Sequence, residues 1–143
     1  MKAFRFRLEP LITLRNWEEE RARVAFGQAI EHERRIQARL QAVETDLEAG
    51  FRAWEQARIV REKNECWQHL EFLRAERANI LGMLEEARRE REEKARQLMD
   101  AHKRLQTLET LKNKRREAHL AEMRRREELE LDDIVSARFQ PDL

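Results

Sequence analysis

From Ala22 onward the apolar residues recur at alternating steps of three and four: Ala22, Phe26, Ala29, Glu33, Ile36, Leu40, Val43, Leu47, Gly50, Trp54 and Ala57, with Glu33 the one charged member. That spacing keeps a narrow stripe on one side of a helix, the seam of a coiled coil rather than the broader face of a globular helix. The stripe then fails, because Arg61, Glu62, Lys63, Asn64 and Glu65 carry nothing apolar. A second stripe opens at Trp67 and Leu70 and runs through Leu73, Arg77, Ile80, Leu84, Ala87, Arg91, Ala95, Leu98, Ala101, Leu105 and Leu108. Its step of four from Arg91 to Ala95, where three is due, predicts a local relaxation of the supercoil. Beyond Leu111 the stripe blurs, yet no proline stands before Pro141 to end the helix.

Neither stripe can bury itself on its own helix. Two of them in succession predict an all-α fold, an elongated antiparallel two-helix coiled-coil hairpin forming a single domain over 1–143. The first helix is expected over about 8–60, with Pro10 suited to its first turn. The turn is expected at about 61–65, with Asn64 as the best local turn residue. The second helix then covers about 66–138. At about 1.5 Å per residue the arms measure roughly 75 Å and 105 Å, so the C-terminal end is expected to run past the N-terminus. A large seam side chain contributes about 1.5–3 kcal/mol, against about 1–2 kcal/mol of backbone entropy per ordered residue. The hairpin is therefore expected to be marginal, with an open end that gains order from a partner.

Composition supports this picture. Charged residues make up 41% of the 143 residues, and glycine and proline together number five, so little interrupts a helix. A disordered chain would also be highly charged, but it would lack the periodic apolar residues. The net charge of +1 sets up no overall field toward nucleic acid or membrane. Cys66 is the single cysteine, which excludes an internal disulfide. No apolar run approaches the roughly 20 residues of a membrane span, and the basic start lacks the apolar stretch of a signal peptide. A cytoplasmic protein is expected.

Candidate chemistry is sparse. His32, His69, His102 and His119 lie far apart and form no metal-binding pair. There is no glycine-rich phosphate loop, and a two-helix hairpin offers no dry interior in which to shift the pKa of a carboxylate. No catalytic, cofactor-binding or metal residue is expected. The basic run at Lys112, Lys114, Arg115, Arg116, Arg124, Arg125 and Arg126 is interleaved with glutamates and lacks aromatics for base stacking. It reads as a solvated face or as a docking face for an acidic protein, not as a nucleic-acid site. Ile30, Phe51, Ile59, Val60, Phe72, Leu81, Met99, Leu120 and Met123 fall off the seams. Near the turn, Phe51, Trp54, Trp67 and Phe72 are either local packing or a patch for a partner. The opening alternation Phe4-Arg5-Phe6-Arg7 suits a strand, a nucleic-acid arm or a sticky tip.

Read together, "FRFRLEPLITLR" and "LETLKNKRREAHLAEMRRREELELDDIVSARF" resemble the ends of the flagellar export protein FliJ family. The closing piece is Leu131-Asp132-Asp133-Ile134 with Arg138-Phe139, where Asp133 stands in place of the family's usual glutamate, and "ECWQHLEFLRAERANI" resembles the family's second-helix opening. The resemblance implies a hairpin similar to the rotary ATP synthase gamma subunit. Such a stalk is non-enzymatic and without a cofactor; its paired terminal ends enter a hexameric export ATPase, promote its assembly and couple it to a membrane export gate protein. It implies export chaperones as further partners, and a place at the inner-membrane export apparatus reached only through partners. Carried over residue by residue, the ATPase-ring contacts are Phe4, Arg5, Phe6, Arg7, Arg124, Arg125, Arg126 and Phe139. The export-gate contacts are Leu40, Val43, Leu47, Leu70, Arg74, Arg77 and Leu81, with Ile36 beside them. An injectisome stalk, a homodimeric coiled-coil spacer and a nucleic-acid-binding arm are the rival readings.

Overall fold

The computed structural model describes residues 3–139. Two helices account for nearly all of them: α1, Glu9–Gln56, and α2, Val60–Arg138. They form the all-α antiparallel hairpin that two successive apolar stripes dictate. The connection is residues 57–59 alone, a tighter turn than expected and nearer the N-terminus, while 61–65 are helical. The charged run at 61–65 is polar because it is the solvated start of α2, with Glu62 favourably placed near the positive end of the helix dipole. The turn uses no glycine, and no described residue has a positive φ. It is held instead by a side chain: Lys63 Nζ donates to the Trp54 carbonyl at 3.2 Å and lies 4.3 Å from the centre of the Trp54 ring. One lysine thus satisfies a carbonyl at the end of α1 and ties the first turn of α2 to it.

The chain divides into two compact units. The first is Glu20–Met99, which contains the turn. Its core is Ile36, Val43, Ile80 and Ala87, with Leu40, Leu47, Met83 and Leu84 packed around them. All eight lie on or beside the two stripes. The charged members of the stripes answer one another. Glu33 on α1 meets Arg91 on α2 at 2.6 Å, close enough for an ion pair although the Arg91 Nε–H is not aligned for a hydrogen bond. Arg77 on α2 meets Glu44 on α1, one step beside the Val43 seam position, at 3.4 Å. Such half-buried pairs add little net stability but disfavour registers that would leave either charge alone. Around the slip in phase, Lys94, Ala95 and Leu98 are only half-buried.

Near the turn, α1 and α2 approach at Gly50. A Cβ there would stand 2.8 Å from Leu70 Cδ2, and Leu70 is wholly buried. The space a side chain would occupy at position 50 is filled by Leu70. Gly50→Leu is therefore expected to destabilise by about 1–3 kcal/mol through overpacking, although leucine is the better helix former by about 1 kcal/mol. Gly50→Ala should cost less, since the end of Leu70 can turn aside. Urea unfolding followed by circular dichroism would show the order.

The second unit is Met1–Glu19 with Asp100–Leu143. Its core is Phe6, Ile12 and Leu105, flanked by Phe4, Leu8, Leu108 and Leu111. Ile12 lies well before Ala22, so the seam begins earlier than its apolar pattern suggests. Two seam positions within this N-terminal stretch, Arg15 and Glu19, are polar and hide the periodicity. Glu19 is 8% exposed, with His102 Nδ1 3.5 Å from its Oε1.

Candidate functional site

The N-terminal alternation is a packing device. Residues 3–6 precede α1 without regular secondary structure, and burial alternates along them. Phe4 and Phe6 therefore turn in, and Arg5 and Arg7 turn out to solvent. Backbone bonds from Glu9 N–H to the Phe6 carbonyl (3.2 Å) and from Ile12 N–H to the Leu8 carbonyl (3.1 Å) turn this segment into α1. Phe6 sits on Ile12 and Leu105 under the Arg115 guanidinium, 5.9 Å from its ring centre. The Phe4 ring lies 5.6 Å from that of His119. Lys112 and Glu9, 2.8 Å apart, fasten the same turn. The result is a clasp in which the start of the chain closes over α2 between Leu105 and His119.

Past this clasp α2 continues with no neighbour among the described residues. Every described residue from Arg124 to Phe139 is exposed, and Phe139 is 80% exposed. Continuing the steps of three and four from Leu105 and Leu108 leads to Lys112, Arg115, His119, Glu122 and Arg126. The first three of these meet Glu9, Phe6 and Phe4 in the clasp, and beyond them Glu122 and Arg126 carry nothing apolar. At about 1.5 Å per residue, the helical part beyond Met123 is roughly 22 Å long. Its charge is segregated: Arg124, Arg125 and Arg126 come first, then Glu127, Glu128, Glu130, Asp132 and Asp133. Arg125 and Arg126 both lean on Glu122, at 3.2 and 3.5 Å. Leu129, Leu131, Ile134 and Val135 stand exposed among these charges.

The ring-contact set thus divides. Arg5, Arg7, Arg124, Arg125, Arg126 and Phe139 face solvent, Phe4 is half-buried, and Phe6 belongs to the core. Pro141 lies outside the described residues.

The gate-contact set lies in the other unit and divides as well. Val43 and Leu70 are buried within the hairpin, and Leu40 and Leu47 pack against its core. Arg77 is engaged with Glu44. Arg74 and Leu81 are exposed. Arg74 donates to Glu71 at 3.3 Å and lies 5.4 Å from the Phe51 ring centre and 5.2 Å from that of Trp67. Phe51 and Trp67 thus meet at Arg74 and Trp54 lies under Lys63; Trp54 and Trp67, expected on the stripes, are exposed instead of buried in the seam.

Among the described residues, no three His, Cys, Asp or Glu side chains gather as a metal site would require. No helix in this range is long and apolar enough to cross a membrane. The carboxyl of Glu93 is lowered from its ordinary pKa, chiefly by the hydrogen bond from Arg96 and next by that residue's charge, on an open helix face.

Comparison with known proteins returns one family. The model described as "Flagellar FliJ protein" matches residues 4–142. No curated protein and no solved structure matches the chain.

Proposed function

The chain belongs to the flagellar FliJ family, and from that membership we propose that it is a non-enzymatic stalk of the flagellar protein-export apparatus. The family makes it a component of that apparatus; the stalk role is the finer reading. In this reading the free end of α2 enters the hexameric export ATPase, promotes assembly and hydrolysis, and links the ring to the membrane export gate protein. Export chaperones are the third class of partner. The observation that carries the reading is the helix beyond Met123, a charge-segregated segment in which every described residue is exposed. A helix exposed on every side is what a ring can close around.

Within that reading Arg124, Arg125, Arg126 and Phe139 are the first ring contacts, with Arg5 and Arg7 beside the clasp. Phe4 and Phe6 support the ring contacts from below by holding the clasp shut. On the gate side, Arg74 and Leu81 offer direct contacts, and Leu40, Leu47 and Arg77 offer their partly exposed edges. Val43 and Leu70 maintain the shape beneath them.

The test is the ATPase activity of the cognate export ATPase with and without this protein. Wild type should raise the rate. Reversing charge at Arg124→Glu, Arg125→Glu and Arg126→Glu together should remove the stimulation while leaving the circular dichroism spectrum unchanged. Equal stimulation by the triple variant would refute the ring assignment.

A further inference from the structure

The stripe of α2 that meets α1 does not stop at the clasp. The same steps of three and four carry it from Glu122 through Arg126, Leu129 and Asp133, with Arg125 and Asp132 at its border. Elsewhere the hairpin answers charges on or beside its stripes across the two helices: Glu33 with Arg91, Glu44 with Arg77, and Glu9 with Lys112. Beyond the clasp the charges continue and the opposite helix is absent. Arg125 and Arg126 reach only back to Glu122 on their own helix, and no described residue pairs with Asp132 or Asp133.

The order of these charges is its own complement. Arg126 and Arg125 stand three and four residues before Leu129, and Asp132 and Asp133 stand three and four after it. From this symmetry we propose that the free end of α2 pairs antiparallel with the same segment of a second copy of the chain.

A two-fold axis at Leu129 sets Arg126 of each copy opposite Asp133 of the other along one edge of the stripe. Along the other edge it sets Arg125 opposite Asp132. Leu129, 55% exposed in the single chain, meets its counterpart between them. Four Arg–Asp pairs thus surround one apolar contact. A parallel pair in register would set arginine on arginine and aspartate on aspartate, so the charge order selects the antiparallel arrangement. The second helix then lies along the track that α1 follows on α2 before the clasp, and it runs in the direction of α1.

The pairing is weak by construction. It covers residues 122–136, roughly 22 Å of helix, which is small for a protein interface. Its ion pairs are exposed and screened by salt. Glu127, Glu128 and Glu130 lie off the stripe and add repulsion between the copies. The pairing does not rest on the stalk reading, although a chain paired in this way has no free end to offer a ring.

Sedimentation equilibrium of the full chain tests it, over a concentration series at low and high salt. A reversible monomer–dimer equilibrium is expected at low salt, weakened roughly tenfold or more at high salt. Arg125→Asp with Arg126→Asp should weaken the dimer by roughly tenfold or more, and Asp132→Arg with Asp133→Arg should do the same. Mixed in equal amounts, these two variants should pair with each other. All four substitutions in one chain keep the net charge and should restore the homodimer. Circular dichroism checks that helix content is intact in each. A chain that stays monomeric at low salt up to about 1 mM overturns the proposal. A dimer indifferent to both reversals overturns it as well, because the contact then lies elsewhere on the chain. So does a fourfold variant that fails to dimerise, because matched charge is then not what joins the copies.

Discussion

Ile80→Ala is expected to lower the unfolding free energy by about 2–5 kcal/mol, while Leu81→Ala, one residue further on, is expected to cost under about 1 kcal/mol. The two side chains are chemically alike, and the helix treats them alike. What differs is direction. Ile80 is 1% exposed, in one core with Ile36, Val43 and Ala87, whereas Leu81 is 38% exposed. Truncating Ile80 removes buried methyl groups and leaves a void between two helices that have no third layer to collapse into it. A total stability of about 5–15 kcal/mol is ordinary for a small protein, so such a loss could bring the hairpin near its unfolding midpoint. Urea titrations at constant m-value would separate the two variants. Similar losses for both would mean that the stripes do not face each other as described.

The heptad-like steps made most of this fold legible. Leu70, Leu73, Ile80, Ala87, Ala101 and Leu105 lie on the predicted second stripe and are all buried. Even the charged interruptions Glu33 and Arg91 hold seam places, because each supplies the other's partner. The turn was less legible for a physical reason. Sequence signals for turns are glycine, proline and asparagine, and this turn is closed by the side chain of Lys63 reaching back to Trp54. A distant lysine carries no local turn signature. The seam before Ala22 was obscured in the same way, since Glu19 occupies an inward position that periodicity reserves for an apolar residue.

The candidate sites were legible as residue types but not as directions. The phenylalanines and arginines of Phe4 to Arg7 drew attention as one group, and packing against α2 then sorts them into a half-buried Phe4, a buried Phe6 and exposed arginines at Arg5 and Arg7. Val43 and Leu70 show the same problem on the gate side. A motif aligned along a helix brings its inward residues with its outward ones, and only the angle around the helix tells them apart.

That difference between the two chain ends leads to an expected dissociation of stability from activity. Deleting residues 124–143 should abolish stimulation of the export ATPase and leave thermal unfolding of the hairpin almost unchanged, because no described residue from Arg124 to Phe139 is buried. Deleting residues 1–7 should also reduce stimulation, but through the fold. It removes Phe4 and Phe6 from the cluster with Ile12 and Leu105, and loss of a buried phenylalanine side chain alone costs about 3–5 kcal/mol. Hydrogen exchange should then lose protection across 100–119 first, since that is the surface the clasp covers. The paired variant Arg5→Ala with Arg7→Ala separates the two effects at this end: both side chains are exposed, so stability should hold while stimulation falls. Parallel calorimetry and ATPase assays would measure each quantity on the same samples. Full stimulation by the chain lacking 124–143 would remove the free end of α2 from the ring. Unchanged unfolding of the chain lacking 1–7 would show that Phe6 does not hold the clasp.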